Sequence, residues 1–188
     1  TSMSFGSGVA HTGTRRPILF DLRNWRKSGL ISAGLASSKQ FFAIKFEDLI
    51  LNSESTLCNI YEWLNISQLS YETLISDMNN NEWSNNSSFG EKKLFDPSAL
   101  GNYKENLPEN VTKYIEAVCY EEMKHLGYPL TITELDRINI IQEFKEPFES
   151  TRAEFDSDYT KKSKDYELNR CETNFDDLIK TFLVRSCQ

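Results

Sequence analysis

Six residues, Phe41-Phe42-Ala43-Ile44-Lys45-Phe46, form a short and nearly continuous apolar run. The run is too brief for a helix and lacks the alternation of a half-buried strand, so it reads as a strand buried on both faces in a parallel sheet. Such a strand demands neighbours. Its backbone donors and acceptors need partners, and both of its faces need cover. No second run of this kind stands out. The neighbours then lie either in the early loop region or outside the 188 residues. The expectation is an α/β chain, predominantly helical, with one clear parallel strand and an exposed apolar surface wherever that strand lacks cover.

The rest of the pattern is helical. Residues 1–17 hold Gly6, Gly8 and Gly13 among small polar residues and read as a loop. Leu19, Leu22, Trp25 and Arg26, then Leu30, Ile31 and Leu35, recur at the period of an amphipathic helix over about 20–37, weakened at Gly29 and Gly34. After the apolar run come Glu47-Asp48-Leu49, then Asn52 and Ser53 as caps of a helix that buries Leu57, Ile60, Tyr61 and Leu64. A short helix is expected at about 70–78. Residues 79–108 are rich in Asn, Ser, Gly and Lys, a connection long enough to be functional or disordered. Pro108 then opens a helix with a stripe of Val111, Tyr114, Ile115, Val118, Cys119 and Leu126 that stops at Gly127 and Pro129.

Beyond Pro129, residues 133–146 look helical through Leu135, Ile138, Ile141 and Phe144, until Pro147 breaks the pattern. Residues 148–169 are charge-rich, with Lys161, Lys162 and Lys164 following Asp156 and Asp158. Phe175, Leu178, Ile179 and Phe182 suit one last short helix. The expected division is residues 1–130 and a helical extension, 131–188, of unknown role that is either an appendage or an arm docking on another chain or a second copy.

Charge and composition narrow the function. With 21 Lys and Arg against 28 Asp and Glu, the net charge of −7 repels a phosphate backbone, so nucleic acid is not the expected partner. No stretch approaches the roughly 18 apolar residues of a membrane span, and a soluble, cytoplasmic protein is expected. Cys58, Cys119, Cys171 and Cys187 are widely spaced with only His11 and His125 beside them, which gives no metal-ligand spacing and no metal. Cys58 and Cys119 fall on apolar helix faces, as buried thiols do. Asn65, Asn85, Asn86 and Asn110 match the glycosylation triplet, a frequent coincidence in an Asn-rich chain. The adjacent Glu47 and Asp48 point in different directions on a turn, so they suit the positive end of a helix dipole better than shared-proton chemistry.

Two segments carry a family likeness. Ala43-Ile44-Lys45-Phe46-Glu47-Asp48-Leu49-Ile50, followed by the helix from Ser55 to Ile66, resembles the sulfotransferase family, where a buried strand ends in a basic-aromatic-Glu-Asp-Leu turn. About fifty residues on, Leu100-Gly101-Asn102-Tyr103-Lys104 and the closing Leu126-Gly127-Tyr128 are similar to that family's Gly-x-Trp-Lys segment and Leu-Gly-Tyr end, with Tyr103 in place of the usual Trp. Trp25 in the preceding helix adds to the likeness, which covers about residues 1–130.

What the resemblance implies is transfer of a sulfuryl group from 3′-phosphoadenosine 5′-phosphosulfate (PAPS) to a hydroxyl or amine of a small molecule or glycan. The implied setting is the C-terminal part of a P-loop-like three-layer α/β/α fold. Such chemistry needs donors for the 5′-phosphosulfate, a Lys at the bridging oxygen, a base for the acceptor, and Arg and Ser for the 3′-phosphate. The resemblance puts the first three in a preceding half of the family domain, and no Gly-rich loop bearing Lys and Ser or Thr occurs here, so no catalytic residue is assigned. For the 3′-phosphate it points to Ser2, with Thr1 and Ser4 as register alternatives. For a segment closing over the nucleotide it points to Lys92, Lys93, Tyr103 and Lys104. Beside these stand a frayed terminus at Ser2 and solvated lysines on a loop. Beside the enzyme stand two alternatives: a non-catalytic scaffold of sulfotransferase type that binds partners through its helices, and an unrelated small helical adaptor.

Overall fold

The computed structural model describes residues 17–73, 97, 100–101, 107–145, 147 and 157–186. Along them run α1 (Ile18–Gly34), α2 (Phe46–Leu51), α3 (Ser53–Leu64), α4 (Glu109–His125), α5 (Glu134–Glu143), α6 (Ser157–Glu172) and α7 (Phe175–Ser186). The chain divides into two compact units. One takes in Lys39–Asn106, with α2 and α3; the other takes in Phe5–Ser38 and Leu107–Gln188, with α1 and α4 to α7.

The expected parallel strand is not formed, and no strand occurs among the described residues, so the α/β/α expectation is corrected to a helical structure. Residues 41–45 are irregular, and Phe46, expected to end the strand, opens α2 instead. The side chains expected inside a sheet face solvent: Phe42 is 38% exposed, Ile44 42% and Phe46 57%. A strand exists only through its pairing, and no partner strand is present among the described residues. The backbone finds its partners locally by winding up, with Leu49 N–H donating to the Lys45 carbonyl at 3.1 Å and Asn52 N–H to the Asp48 carbonyl at 2.8 Å.

Helix α3 follows Asn52, as its capping residues suggested, although the Asn52 side chain makes no capping hydrogen bond. Its inward residue is Thr56, whose hydroxyl donates to the Asp48 carbonyl at 3.1 Å and ties α3 to α2. Leu57, Ile60 and Tyr61 are only half-buried, and Leu64 is exposed. The helix ends at Asn65, in the left-handed region at φ 52° that Asn tolerates better than most residues. Trp63 donates its indole N–H to the Lys39 carbonyl at 3.1 Å and stacks on Phe42 with centroids 5.7 Å apart.

In the second unit the core joins α1 to α4 and α5. Ile18, Leu19 and Leu22 pack with Val111, Tyr114, Ala117, Val118, Cys119, Ile132 and Ile141, each fully buried large apolar side chain contributing roughly 1.5–3 kcal/mol. Gly29 and Gly34 prove to be points of close approach. A Cβ on Gly29 would lie 3.1 Å from Glu122 Cγ on α4, and one on Gly34 would lie 2.9 Å from Leu183 Cδ1 on α7.

Two ends are closed by local chemistry. Helix α4 stops where the sequence placed its stop: Gly127 takes φ 69°, its N–H donates to the Lys124 carbonyl, and Tyr128 N–H donates to the Met123 carbonyl at 2.8 Å. That pair of bonds is a Schellman closure, and the positive φ is what glycine supplies there. Helix α5 starts with a capping box, in which Thr133 accepts from Asp136 N–H at 3.1 Å and Asp136 accepts from Thr133 N–H at 2.9 Å. Leu135, expected inside, is 67% exposed. Within the charge-rich stretch, α6 forms and buries Ser163, Glu167 and Arg170, a polar face at helical spacing.

Candidate functional site

The polar groups that the second unit buries come from α1, α4, α5 and α6. Arg26 sits on the apolar stripe of α1, one turn beyond Leu22 and one before Leu30, so its guanidinium is carried into the core. It donates through Nη1 to Glu167 Oε2 at 2.5 Å and to the Val118 carbonyl at 3.0 Å, and through Nη2 to Glu167 Oε1 at 3.0 Å. Arg23, one turn earlier, donates through Nε to Glu167 Oε1 at 3.0 Å and rests its guanidinium 5.1 Å from the centre of the Tyr166 ring. Glu122 of α4 pairs with Arg170 of α6. Its second oxygen and Arg170 Nε are buried without a hydrogen-bond partner.

These charges fix each other's state. Burial works to raise the Glu167 carboxyl, but the hydrogen bond and charge of Arg26, with Arg23 beside it, outweigh burial and hold it below its ordinary value of 4.5. Burial likewise opposes the Arg26 charge, and Glu167 more than compensates. Cys119, next to this cluster, has its thiol pushed up to about 12, chiefly by burial. A neutral buried thiol and a paired carboxylate offer neither a nucleophile nor a base, so the cluster holds helices together rather than doing acid/base chemistry.

Around it, other buried polar groups organise loops. Glu116 accepts from Thr131 N–H at 2.7 Å and Ile132 N–H at 3.2 Å, which seats the turn before α5. Arg137 donates to Glu121 at 2.5 Å and lies 4.9 Å over the Tyr120 ring.

Among the residues that carried the sequence likeness, Trp25 and Tyr128 come together, ring centroids 6.2 Å apart and planes at 61°. The Schellman closure at Gly127 is what turns Tyr128 toward α1. Glu47 and Asp48 stand in the first turn of α2. In the same unit Asp48, Asn52, Thr56 and Asn59 line an open cavity of about 260 Å³ together with Phe42 and Ile44. His125 is in the last turn of α4, its ring centroid 4.9 Å from that of Phe175.

The proposed nucleotide ligands Ser2, Lys92, Lys93, Tyr103 and Lys104, with the alternatives Thr1 and Ser4, lie outside the described residues. Of the cysteines, Cys119 is buried and Cys58 half-buried, with Gln68 Nε2 donating to its sulfur at 2.6 Å. No group of three or more His, Cys, Asp or Glu able to hold a metal occurs among the described residues, nor does a helix long and apolar enough to cross a membrane. The ion-pair cluster went unread in the sequence. Its visible signal is a charged residue in register with a core stripe, Arg26 four after Leu22 and Glu122 four after Val118.

Residues 17–127 match the family model described as "Sulfotransferase domain". The match opens at the proline ahead of α1 and closes at the glycine that ends α4. No curated protein and no solved structure matches the chain.

Proposed function

The chain belongs to the sulfotransferase family, and from that premise we propose that it forms part of a domain that moves a sulfuryl group from PAPS to a hydroxyl or amine acceptor. The observation that carries this is the match of residues 17–127 to the family model; within the fold, Trp25 of that span packs on Tyr128 just beyond its end. In the transfer, the acceptor oxygen or nitrogen bonds to sulfur while the bond from sulfur to the bridging phosphate oxygen breaks. The acceptor's proton passes to a base, and 3′-phosphoadenosine 5′-phosphate (PAP) leaves. Lys92, Lys93 and Lys104 are the cations assigned to the nucleotide, Tyr103 its packing partner and Ser2 a hydroxyl for the 3′-phosphate. Among the described residues Arg23 and Arg26 are already held by Glu167, so no step is placed on them.

A second reading, a scaffold of sulfotransferase type that binds a protein partner, draws on a specific observation. Phe42, Ile44, Phe46, Leu51, Trp63, Leu64, Ile66 and Leu69 are all exposed within one compact unit. Incubation with radiolabelled PAPS and a panel of alcohols, phenols, amines and neutral oligosaccharides separates the two. Label carried onto an acceptor supports transfer; no labelled product, together with no PAP binding, supports the scaffold.

A further inference from the structure

Two guanidiniums converge on one carboxylate in the interior of the second unit. Arg26 supplies Nη1 at 2.5 Å to Oε2 and Nη2 at 3.0 Å to Oε1 of Glu167, and Arg23 adds Nε at 3.0 Å and Nη2 at 2.9 Å to Oε1. This is the fork geometry that guanidiniums offer to any oxyanion, tetrahedral ones included. The charges of the cluster do not cancel. Arg23, Arg26 and Arg170 are positive, Glu122 and Glu167 negative, and Arg170 is already matched by Glu122. Arg23 and Arg26 share the single carboxylate of Glu167, with the Glu122 charge also acting on Arg26. A carboxylate balances one of these two guanidiniums, whereas a dianion balances both.

Access and anchorage fit the same idea. The Arg26 and Glu167 side chains are 4% and 2% exposed, whereas that of Arg23 is 24% exposed, so Arg23 is the member of the cluster that solvent reaches. Helix α6 buries Ser163, Glu167 and Arg170, while its apolar contribution to the core, Leu168 and Cys171, is only part-buried. Among the described side chains its contacts with α1 include the ion pairs of Arg23 and Arg26 with Glu167 and the Arg23 guanidinium on the Tyr166 ring, and the ion pairs are the kind of interaction that an external anion competes for.

We infer that Arg23 and Arg26 form an oxyanion site that Glu167 fills from within the chain, and that a sulfate or phosphate dianion takes the place of Glu167 and frees α6 from α1. This stands independently of sulfuryl transfer. The ordinary effect of sulfate is to be excluded from protein surfaces and so to tighten a fold, which makes the sign of the test informative. Hydrogen exchange on the whole chain is compared in millimolar sodium sulfate, millimolar sodium phosphate and sodium chloride of equal ionic strength, with PAP as a further arm for an anion carried on a nucleotide. Faster exchange of α6 amides in the dianions than in chloride is expected; equal or slower exchange overturns the inference. In parallel, Glu167→Gln is expected to show a saturable rise in melting temperature with sulfate that wild type and Arg26→Met/Glu167→Gln lack. An equal response in all three also overturns it. Where Glu167→Gln fails to fold, the wild-type exchange decides.

Discussion

Replacing Glu167 by Leu removes the carboxylate that two guanidiniums share and strands Arg26, whose side chain is 4% exposed. Breaking a buried pair from one side costs about 3–5 kcal/mol, because the remaining charge stays desolvated without compensation. Against a total stability of about 5–15 kcal/mol for a domain, that is a large share. Arg26→Met alone strands Glu167 instead, although Arg23 still reaches it, so the loss falls toward the lower end, about 3 kcal/mol. The double variant Arg26→Met/Glu167→Leu removes both charges and fills similar volume, and is expected within about 2 kcal/mol of wild type. Urea unfolding followed by circular dichroism at neutral pH reads all four proteins, and the cycle isolates a coupling of about 3 kcal/mol or more. A double variant as unstable as the sum of the single losses would refute the claim that Arg26 and Glu167 stabilise chiefly through each other. The pH dependence carries the same sign. The Glu167 carboxyl is held below its ordinary 4.5, so its stabilising contribution is complete above that value and is lost as pH falls through the lower folded value. Wild type should lose stability over that acid range more steeply than the double variant.

Other consequences follow from single contacts. Gly29→Ala normally gains about 1 kcal/mol in a helix, but here the new methyl meets Glu122 at 3.1 Å, and that side chain is pinned by Arg170. Overpacking of about 1–3 kcal/mol is expected to win, lowering the urea midpoint; a higher midpoint would show that Glu122 yields. Cys119, its thiol raised to about 12 by burial, should resist iodoacetamide at pH 8 in the native protein and react only in denaturant, as peptide mass spectrometry would show. Thr133→Ala removes the hydroxyl that caps α5 and is expected to cost about 1 kcal/mol in chemical unfolding, with an unchanged midpoint arguing against the cap.

Sequence and structure part company for identifiable reasons. Helix α4 was legible because its apolar stripe, Pro108 and Gly127 all point to the same element. Residues 41–46 were misread because an apolar run describes what a strand needs, whereas only pairing makes one, and pairing is not a local property. Helix α6 escaped notice because its buried face is Ser163, Glu167 and Arg170, and a search for apolar periodicity passes over a face that is buried through charge. Leu135 matched a stripe and turned outward; Arg26 matched one and turned inward. Gly29 and Gly34 read as weak points of α1 since sequence shows what a glycine lacks, and only packing shows what comes close to it. Of the candidate site, Trp25 and Tyr128 each carried the family likeness but only the fold shows that they meet, while the nucleotide residues Ser2, Lys92, Lys93, Tyr103 and Lys104 rest on that likeness alone.

Titration of the protein with 3′-phosphoadenosine 5′-phosphate in a calorimeter tests the proposed function most directly. Saturable binding is predicted, weakened when Lys92, Lys93 and Lys104 are replaced together by Ala, and accompanied by a nucleotide-dependent rise in melting temperature. No heat of binding and no rise in melting temperature at millimolar nucleotide would contradict it.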